Sequence, residues 1–308
     1  MTSVDQPIEV VKPKVGERRR RPRLSFRGNW WRHLVGIGAV AVALGPLAYV
    51  VSAAFNVDAS LSGSTLIPRG VTLQNFKDII NDPNPEHDTR YLAWYLNSYV
   101  IAGVAAVLNV FLGALAAYAF SRFRFRGRRF GMMALLLVQM FPAFLALVAI
   151  YLLLLQTGDV FSTLGLNSRP ALILVFLGGA MGVNAWLMKG FFDTIPTELD
   201  ESARVDGATP AQIFWGVILP LAAPVLAVVG IITFVFLLNE FIITSAILQT
   251  ADKFTLPVGL RTFINAKYAE LWGQFAAGAL LAAIPVAILV MSFQRFFVRG
   301  LTSGAVKG

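Results

Sequence analysis

Six apolar stretches, each long enough to cross a lipid bilayer, constrain the fold of this chain more than any other feature. A helix needs about 20 residues to cross a hydrocarbon core about 30 Å thick. The stretches lie near residues 34–56, 92–120, 130–155, 170–192, 217–248 and 274–298. Apolar residues make up 56% of the chain and charged residues 14%, whereas soluble domains have roughly 45–50% and 25%. The sequence therefore predicts an all-α polytopic membrane protein with six transmembrane helices.

The distribution of Lys and Arg predicts the orientation of these spans. Six spans put both termini on one side, and that side carries 19 of the 26 Lys and Arg residues while the other side carries 7. Because basic residues concentrate in cytoplasmic segments, both termini are predicted to be cytoplasmic. The chain then divides into a basic, disordered tail at 1–33, a transmembrane domain at 34–299 and a cytoplasmic tail at 300–308.

The basic leader allows several interpretations. The run Arg18–Arg21 could bind nucleic acid or act as a twin-arginine export signal, but a topology determinant that also contacts anionic lipid is the simpler hypothesis. The apolar stretch after it is too long for a cleaved signal peptide and is predicted to be an anchor. The chain has no cysteine, which excludes disulfides, thiolate metal sites and a cysteine nucleophile.

The polar loop between the fourth and fifth spans carries strong local signals. Thr197 and Asp200 have the spacing of a capping box, and Asp200 could also pair with Arg204 one turn later. Gly207 suits the left-handed residue that ends a helix. Thr209, Pro210 and Gln212 provide an N-cap, a first helical residue and a capping-box partner for the next helix. The pattern predicts a helix, a glycine turn and a second helix, either as a plain link or as a docking element for a cytoplasmic partner.

Seven positions across this loop resemble the EAA signature of ABC-importer permeases. The matching residues are Glu201, Ser202, Ala203, Gly207, Val217, Leu219 and Pro220. Ser202 and Val217 depart from the signature, and both changes are conservative. The resemblance implies a type I ABC-importer (MetI-like) permease fold whose loop is a coupling helix, with Glu201 contacting an ATPase and Gly207 setting the turn.

Further segments resemble carbohydrate-importer permeases over roughly residues 34–308. They include Asn97-Ser-Tyr, the run from Ala116 to Gly127, Leu238-Asn-Glu-Phe and Phe254-Thr-Leu-Pro-Val-Gly. The end of the chain is similar to the tail of the smaller, MalG-type subunit of maltose/maltodextrin importers. That similarity implies an ATPase-interface tail comprising Gly300, Leu301, Thr302, Gly304 and Lys307.

The resemblance also implies partners and a prokaryotic inner-membrane location. The partners are a second, MalF-type permease subunit, a MalK-type ATPase dimer that binds ATP and Mg, and an extracytoplasmic sugar-binding protein. No phosphate-binding P-loop occurs in the sequence, so the chain is expected to bind no cofactor and to be a transport subunit rather than an enzyme. Lys253, Phe254 and Thr255 are the candidate contacts with the binding protein. Trehalose, cyclodextrins or other oligosaccharides are alternative substrates to maltodextrins.

Glu240 is the acidic residue predicted to lie within a span, and such a charge is a candidate functional residue. With Asn239 and Phe241 it could line a sugar pathway, or it could serve a structural hydrogen bond. It also motivates an alternative hypothesis, a secondary transporter coupled to an ion gradient. A nucleic-acid-binding membrane protein is a third hypothesis and depends on the arginine run alone.

Overall fold

The computed structural model describes residues 30–58, 65–68, 70–81, 90–178, 182–264 and 271–305, with backbone only from residue 295. The leader at 1–29 and Lys307 lie outside these residues. The long helices are α1 (Trp30–Phe55), α3 (Tyr91–Arg122), α10 (Leu219–Leu238) and α13 (Trp272–Ala305). The shorter helices are α2 (Gln74–Asn81), α4 (Arg128–Met140), α5 (Leu147–Val160), α6 (Arg169–Leu177), α7 (Val183–Phe192), α8 (Glu198–Val205), α9 (Pro210–Ile213), α11 (Ile242–Ile247) and α12 (Leu256–Arg261).

Four helices among the described residues are long and apolar enough to cross a membrane, and a bent pair makes a fifth candidate span. The bent pair comprises α4 and the segment Phe144–Val160, which meet at 79°. Pro142 lies at this bend, and it both lacks an amide donor and disfavours helical backbone in the residue before it. The fourth predicted span is divided into α6 and α7, on either side of residues 179–181, which are outside the described part. The membrane-helix architecture is confirmed, but the count of six is not.

One predicted span needs correction. The fifth span does not continue to residue 248, because the helix ends at Leu238 and α11 starts separately at Ile242. Helix α1 begins at Trp30, close to the predicted end of the N-terminal tail at residue 33. At the other end of the chain α13 continues to Ala305, so residues 300–305 extend this helix.

The contacts divide the chain after Leu47. The part of α1 before that point is an apolar helix with exposed side chains. In the part from Ala48 onward, the end of α1 packs through Ala53 and Ala54 against Ala276 and Ala277 of α13. Small residues allow such close approach between helices in a membrane.

Helix α3 provides the centre of the larger part. Towards its C-terminal end it shares a buried apolar cluster with α7, α9 and α10, and towards its middle it shares another with α5, α6 and α11. Near its N-terminal end Tyr91 and Trp94 pack with Leu256, Leu260 and Phe263. Since α3 contacts every one of these groups, it determines where the two loop regions at its ends are held.

Candidate functional site

The polar loop folds as the predicted helix–turn–helix, here called the hairpin (residues 198–213). Gly207 lies between α8 and α9 with φ of 84°, the left-handed conformation in which a side chain is disfavoured. At the start of α9 the Thr209 amide donates to Gln212 Oε1 at 2.8 Å, and the Gln212 amide donates to Thr209 Oγ1 at 3.3 Å. The glycine turn and the second capping box are therefore confirmed.

The first predicted capping box, at Thr197 and Asp200, is wrong. Thr197 has helical backbone angles, φ −69° and ψ −21°, and its side chain makes no capping bond. An N-cap residue instead needs extended backbone to bring its oxygen over the free amides. Asp200 does not pair with Arg204 either, because its carboxylate turns inward and meets Arg122 at the end of α3.

Arg122 and Asp200 form a buried ion pair that joins the hairpin to α3. Arg122 Nε contacts Asp200 Oδ2, and the side chains of the two residues are 4% and 3% exposed. The Arg122 guanidinium also donates to the Ile195 carbonyl at 3.0 Å, just before α8. Removing one member of a buried pair leaves an uncompensated charge, which typically costs about 3–5 kcal/mol. The pair therefore strongly favours one position of the hairpin on α3.

Apolar contacts fix the inner face of the hairpin. Ala203 and Ala208 pack against the buried cluster that contains Tyr118, Ile213 and Phe214. The Tyr118 hydroxyl donates to the Pro210 carbonyl at 3.1 Å. Small residues at 203 and 208 suit this packing, because they let the hairpin lie close to the spans beneath it.

The outer face of the hairpin carries exposed side chains of mixed character. Val205 is 88% exposed and Leu199 is 41% exposed. Glu201 and Ser202 are also exposed, and the Ser202 hydroxyl donates back to the Glu198 carbonyl at 2.8 Å. Leu199 and Val205 are therefore left uncovered by the rest of the chain, on the same helix as the exposed carboxylate of Glu201.

Leu219 and Pro220 are not part of this outer face. They begin α10, directly after a π-helical turn at Phe214–Ile218 in which the Leu219 amide donates to the Phe214 carbonyl. Proline at position 220 has no amide to continue the α-helical pattern, which favours the wider turn here. Leu219 packs against the same cluster as Ala203, so it belongs to the base of the hairpin.

The loop at 248–256, at the opposite end of α3, is held by hydrogen bonds to α3. Trp94 Nε1 donates to the Ala251 carbonyl at 2.7 Å, and Asn97 Nδ2 donates to the carbonyls of Asp252 and Phe254 at 3.0 and 2.9 Å. The Ser98 hydroxyl accepts from the Leu256 amide at 2.6 Å. The sequence did not predict this role for these α3 residues, because no pattern near them in the sequence indicates that they bond to residues more than 150 positions later.

The three candidate contact residues of this loop face inward. Thr255 is buried, Phe254 packs against two apolar clusters, and Lys253 Nζ donates to the Asn167 carbonyl at 2.8 Å. Asn167 has φ of 56°, and its side-chain oxygen accepts from the amides of Gln249 and Thr250. The exposed residues of the loop are Gln249 and Thr250, and the Thr250 hydroxyl lowers the pKa of the neighbouring Asp252 carboxyl.

Glu240 lies at the break between α10 and α11 and binds the start of α11. Its Oε1 accepts from the Ile243 amide at 2.8 Å, and its Oε2 accepts from the Thr244 amide and hydroxyl at 2.9 and 2.6 Å. The carboxylate therefore stabilises the new helix, as an acidic group does at a helix N-terminus. This is the structural role that the sequence left open.

Asn239 and Phe241, the neighbours of Glu240, line a groove between the end of α10, helix α12 and roughly the first half of α13. The groove has a volume of about 790 Å³, and Asn239, Phe241 and Arg261 are among its lining residues. The Arg261 guanidinium lies 5.1 Å from the centre of the Phe241 ring, in a cation–π contact. Arg261 was not a candidate from the sequence, since one exposed arginine in a loop gives no signal of such a contact.

The residues assigned to an ATPase-interface tail extend α13 as far as they are described. Gly300, Leu301, Thr302 and Gly304 have helical backbone. Lys307 lies outside the described residues. The role of this segment stays a prediction.

Comparison with protein families gives a match over residues 109–303 to the model described as binding-protein-dependent transport system inner membrane component. The match includes the hairpin, the loop at 248–256 and most of α13. It covers well over half of the chain.

Individual relatives agree with this match over most of the chain. The chain is 40% identical to the galactooligosaccharides transport system permease protein GanQ of Bacillus subtilis, with 85% of this chain and 90% of that protein covered. It is 38% identical to the maltose/maltodextrin transport system permease protein MalG of Vibrio parahaemolyticus, covering 91% and 96%. Among solved structures, a bacterial ABC transporter that imports the acidic polysaccharide alginate matches with a TM-score of 0.72 and 26% identity, covering 89% of this chain and 98% of that one.

Proposed function

This chain belongs to the family of inner membrane components of binding-protein-dependent transport systems, and we propose that it carries maltose or maltodextrin-type oligosaccharides into the cell as one permease subunit of an ABC importer. The single observation that best supports a permease powered by a partner protein is the structure of the hairpin. Its inner face is held firmly against the spans and its outer face is exposed. Such a loop can transmit a displacement, because a force on its outer face also moves α3, to which the hairpin is joined through the ion pair of Asp200 and Arg122.

The proposed partner at the hairpin is a MalK-type ATPase dimer, which binds ATP and Mg and supplies the energy. Val205 and Leu199 would bury apolar area on binding, and Glu201 would add a charged contact beside them. Gly207 permits the turn between α8 and α9. Ala203 and Leu219 act beneath this surface by packing the hairpin against the spans, and Pro220 lies in the first turn of α10. The helical segment at Gly300–Ala305 is a second proposed contact with the ATPase.

The orientation and remaining partners follow from the same proposal. The hairpin end would face the cytoplasm, in agreement with the positive-inside distribution of Lys and Arg. The loop at 248–256 would then face outward and contact a sugar-binding protein through Gln249 and Thr250, with Lys253, Phe254 and Thr255 holding it in shape. A MalF-type permease subunit would complete the pathway.

The sugar itself is the finer part of the proposal. Relatives of similar identity are named for maltose/maltodextrin and for galactooligosaccharides, and both are neutral sugars with many hydroxyl groups. Asn239 and Phe241 offer an amide and an aromatic face to such a sugar. Glu240 contributes indirectly, because its oxygens already bind α11. The carboxylate therefore has a structural role here, which removes the observation that motivated an ion-coupled transporter.

A pair of valine substitutions tests the hairpin as the ATPase contact. Val205→Asp places a charge on the exposed hairpin face, and Val71→Asp does the same at a valine that is 75% exposed elsewhere. A tagged chain is purified from its own membranes with its partners, and ATP hydrolysis is measured in the eluate. We expect hydrolysis to be lost with Val205→Asp and kept with Val71→Asp. Equal hydrolysis from both variants would contradict the assignment.

The substrate is tested separately with the binding protein of the same importer. Calorimetric titration with maltose, maltotriose, trehalose, a cyclodextrin and a galactooligosaccharide ranks their affinities. We expect maltodextrins to bind with the lowest Kd. Tighter binding of a galactooligosaccharide would replace the substrate and leave the ATPase assignment intact.

A further inference from the structure

A groove at the arginine-rich end of the spans is not used by the proposed transport mechanism. It lies between the start of α4 and the end of α7 and has a volume of about 860 Å³. It is here called the basic groove. Its lining residues are Phe125, Gly127, Arg128, Arg129, Phe130, Met132, Met133, Leu136, Trp186 and Lys189.

The cations of the basic groove lie at its mouth. Arg128 and Arg129 come from the first turn of α4, and Lys189 comes from the last turn of α7. Lys189 Nζ is paired with Asp193 Oδ2 at 2.5 Å, which balances its charge. Arg128 donates to the Ser121 carbonyl at 3.4 Å, and it also borders a neighbouring polar cleft that contains Asp200 and Glu201. No acidic side chain lines the groove among the residues that the structure describes, so the two arginines give it a net positive charge.

The wall of the basic groove is apolar and accessible. Phe130 is 75% exposed, and Met133 and Trp186 are half exposed. Leu136 continues the same wall one turn further along α4, away from the arginines. Tryptophan is enriched at the membrane–water boundary, where its ring suits an apolar body next to a polar region. The groove therefore changes from charged to apolar along its length, in the direction that leads into the membrane.

We propose that the basic groove binds one anionic phospholipid. The headgroup phosphate would lie between Arg128 and Arg129, since guanidinium groups bind phosphate through paired donors. An acyl chain would lie against Met133, Leu136 and Trp186. A free phosphate ion could use only the arginines, and a zwitterionic lipid would bring a cation to a mouth that is already positive. Basic pockets between membrane helices are known to bind acidic lipid headgroups. This inference does not depend on the transported sugar.

Trp186 allows the site to be measured directly. The full chain is placed in nanodiscs of phosphatidylcholine that contain increasing fractions of brominated phosphatidylglycerol, whose bromines quench nearby tryptophan. The signal of Trp186 is the difference between the wild type and Trp186→Phe. We expect Trp186 to be quenched at a lower lipid fraction than the remaining tryptophans, and brominated phosphatidylcholine to show no such preference.

Two arginine pairs provide a matched comparison. Arg128→Gln/Arg129→Gln removes the two arginines of the groove, whereas Arg124→Gln/Arg126→Gln removes the same charge from the loop just before α4, outside the groove. Because each cation near an anionic surface contributes about fivefold in affinity, the first variant should need roughly 25-fold more phosphatidylglycerol for half-maximal quenching. Arg128→Lys/Arg129→Lys keeps the charge and should retain much of the preference for phosphatidylglycerol over phosphatidylcholine.

Three results would overturn the proposal. Equal shifts from the two Gln pairs would indicate general attraction to a charged surface rather than a site. Equal quenching by the two brominated lipids would show that the headgroup charge is not selected. Displacement of the brominated lipid by millimolar inorganic phosphate would show that the arginines bind a free anion and that the apolar wall takes no part.

Discussion

The hairpin and the loop at 248–256 are both polar segments attached to α3, one at each end of the helix. They differ in which of their groups are buried and which are exposed. The hairpin buries one charge, that of Asp200 against Arg122 of α3, and exposes its other charged side chains together with apolar ones such as Val205. The loop at 248–256 buries Thr255, packs the partly buried Phe254 against two apolar clusters, and is held through its backbone carbonyls. The hairpin is thus attached through a buried ion pair and leaves apolar side chains uncovered, whereas the loop at 248–256 is held through hydrogen bonds to its backbone.

The strongest test of this contrast removes the buried carboxylate. Asp200→Ala leaves Arg122 charged and unpaired, and it should lower the free energy of unfolding by about 3–5 kcal/mol. Glu198→Ala removes an exposed carboxylate from the same helix and should cost less than about 1 kcal/mol. Thermal unfolding of the purified chain in detergent measures both. Arg122→Leu/Asp200→Leu should recover most of the loss, and equal effects of the two alanine variants would rule out the pair as the main attachment.

The next test removes Asn97, one of the α3 side chains that hold the loop at 248–256. Asn97→Leu deprives two carbonyls of their donor, which should cost about 2 kcal/mol. Hydrogen exchange should rise in residues 248–256 and stay unchanged in the hairpin. Asn239→Leu is the control, because that side-chain amide donates to the Val235 carbonyl one turn earlier in the chain, away from residues 248–256. Faster exchange spread over both ends of α3 would show that the two loops are not independently held.

A third test concerns the turn in the hairpin. Gly207→Val forces a branched side chain into left-handed backbone and should cost about 1–2 kcal/mol, with a smaller cost for Gly207→Asn. No atom lies within 4 Å of the added Cβ, so the effect comes from the backbone alone. Sugar uptake per ATP hydrolysed should fall while insertion into the membrane is retained. Gly216→Val also enters open space, but without positive φ, and should change uptake less.

The smallest expected effect is that of Lys253→Gln. Losing one partly exposed hydrogen bond to the Asn167 carbonyl should lower the free energy of unfolding by less than about 1 kcal/mol. Because the ammonium is already used within the chain, the concentration of binding protein that gives half-maximal uptake should not change. Lys77→Gln, at an exposed lysine of α2, is the reference. A clear rise in that concentration for Lys253→Gln would indicate that Lys253 contacts the binding protein itself.

Local signals predicted the parts of the hairpin that local chemistry determines. Gly207 and the pair Thr209 and Gln212 are set by residues within one turn of each other, and both were found where the sequence indicated. Asp200 was misassigned because the same residue type suits a cap and a buried pair. Its partner Arg122 lies far away in the chain and is one of five arginines between residues 122 and 129. Hydropathy likewise predicted apolar spans but not the interruptions at Pro142 and Glu240, which depend on single residues inside otherwise apolar runs.

Helix α3 has a consequence for how the two ends of the molecule can move. It is a single helix of 32 residues without proline, and a rise of 1.5 Å per residue makes it about 48 Å long. The third span bends near Pro142, and α10 and α13 contain Pro224 and Pro285. Because α3 is unbroken and bonded to the hairpin at one end and to the loop at 248–256 at the other, the two regions share one continuous helix. In the transport mechanism proposed above, a displacement of the hairpin would therefore reach the loop at 248–256 through the tilt of α3 itself, without a chain of side-chain rearrangements.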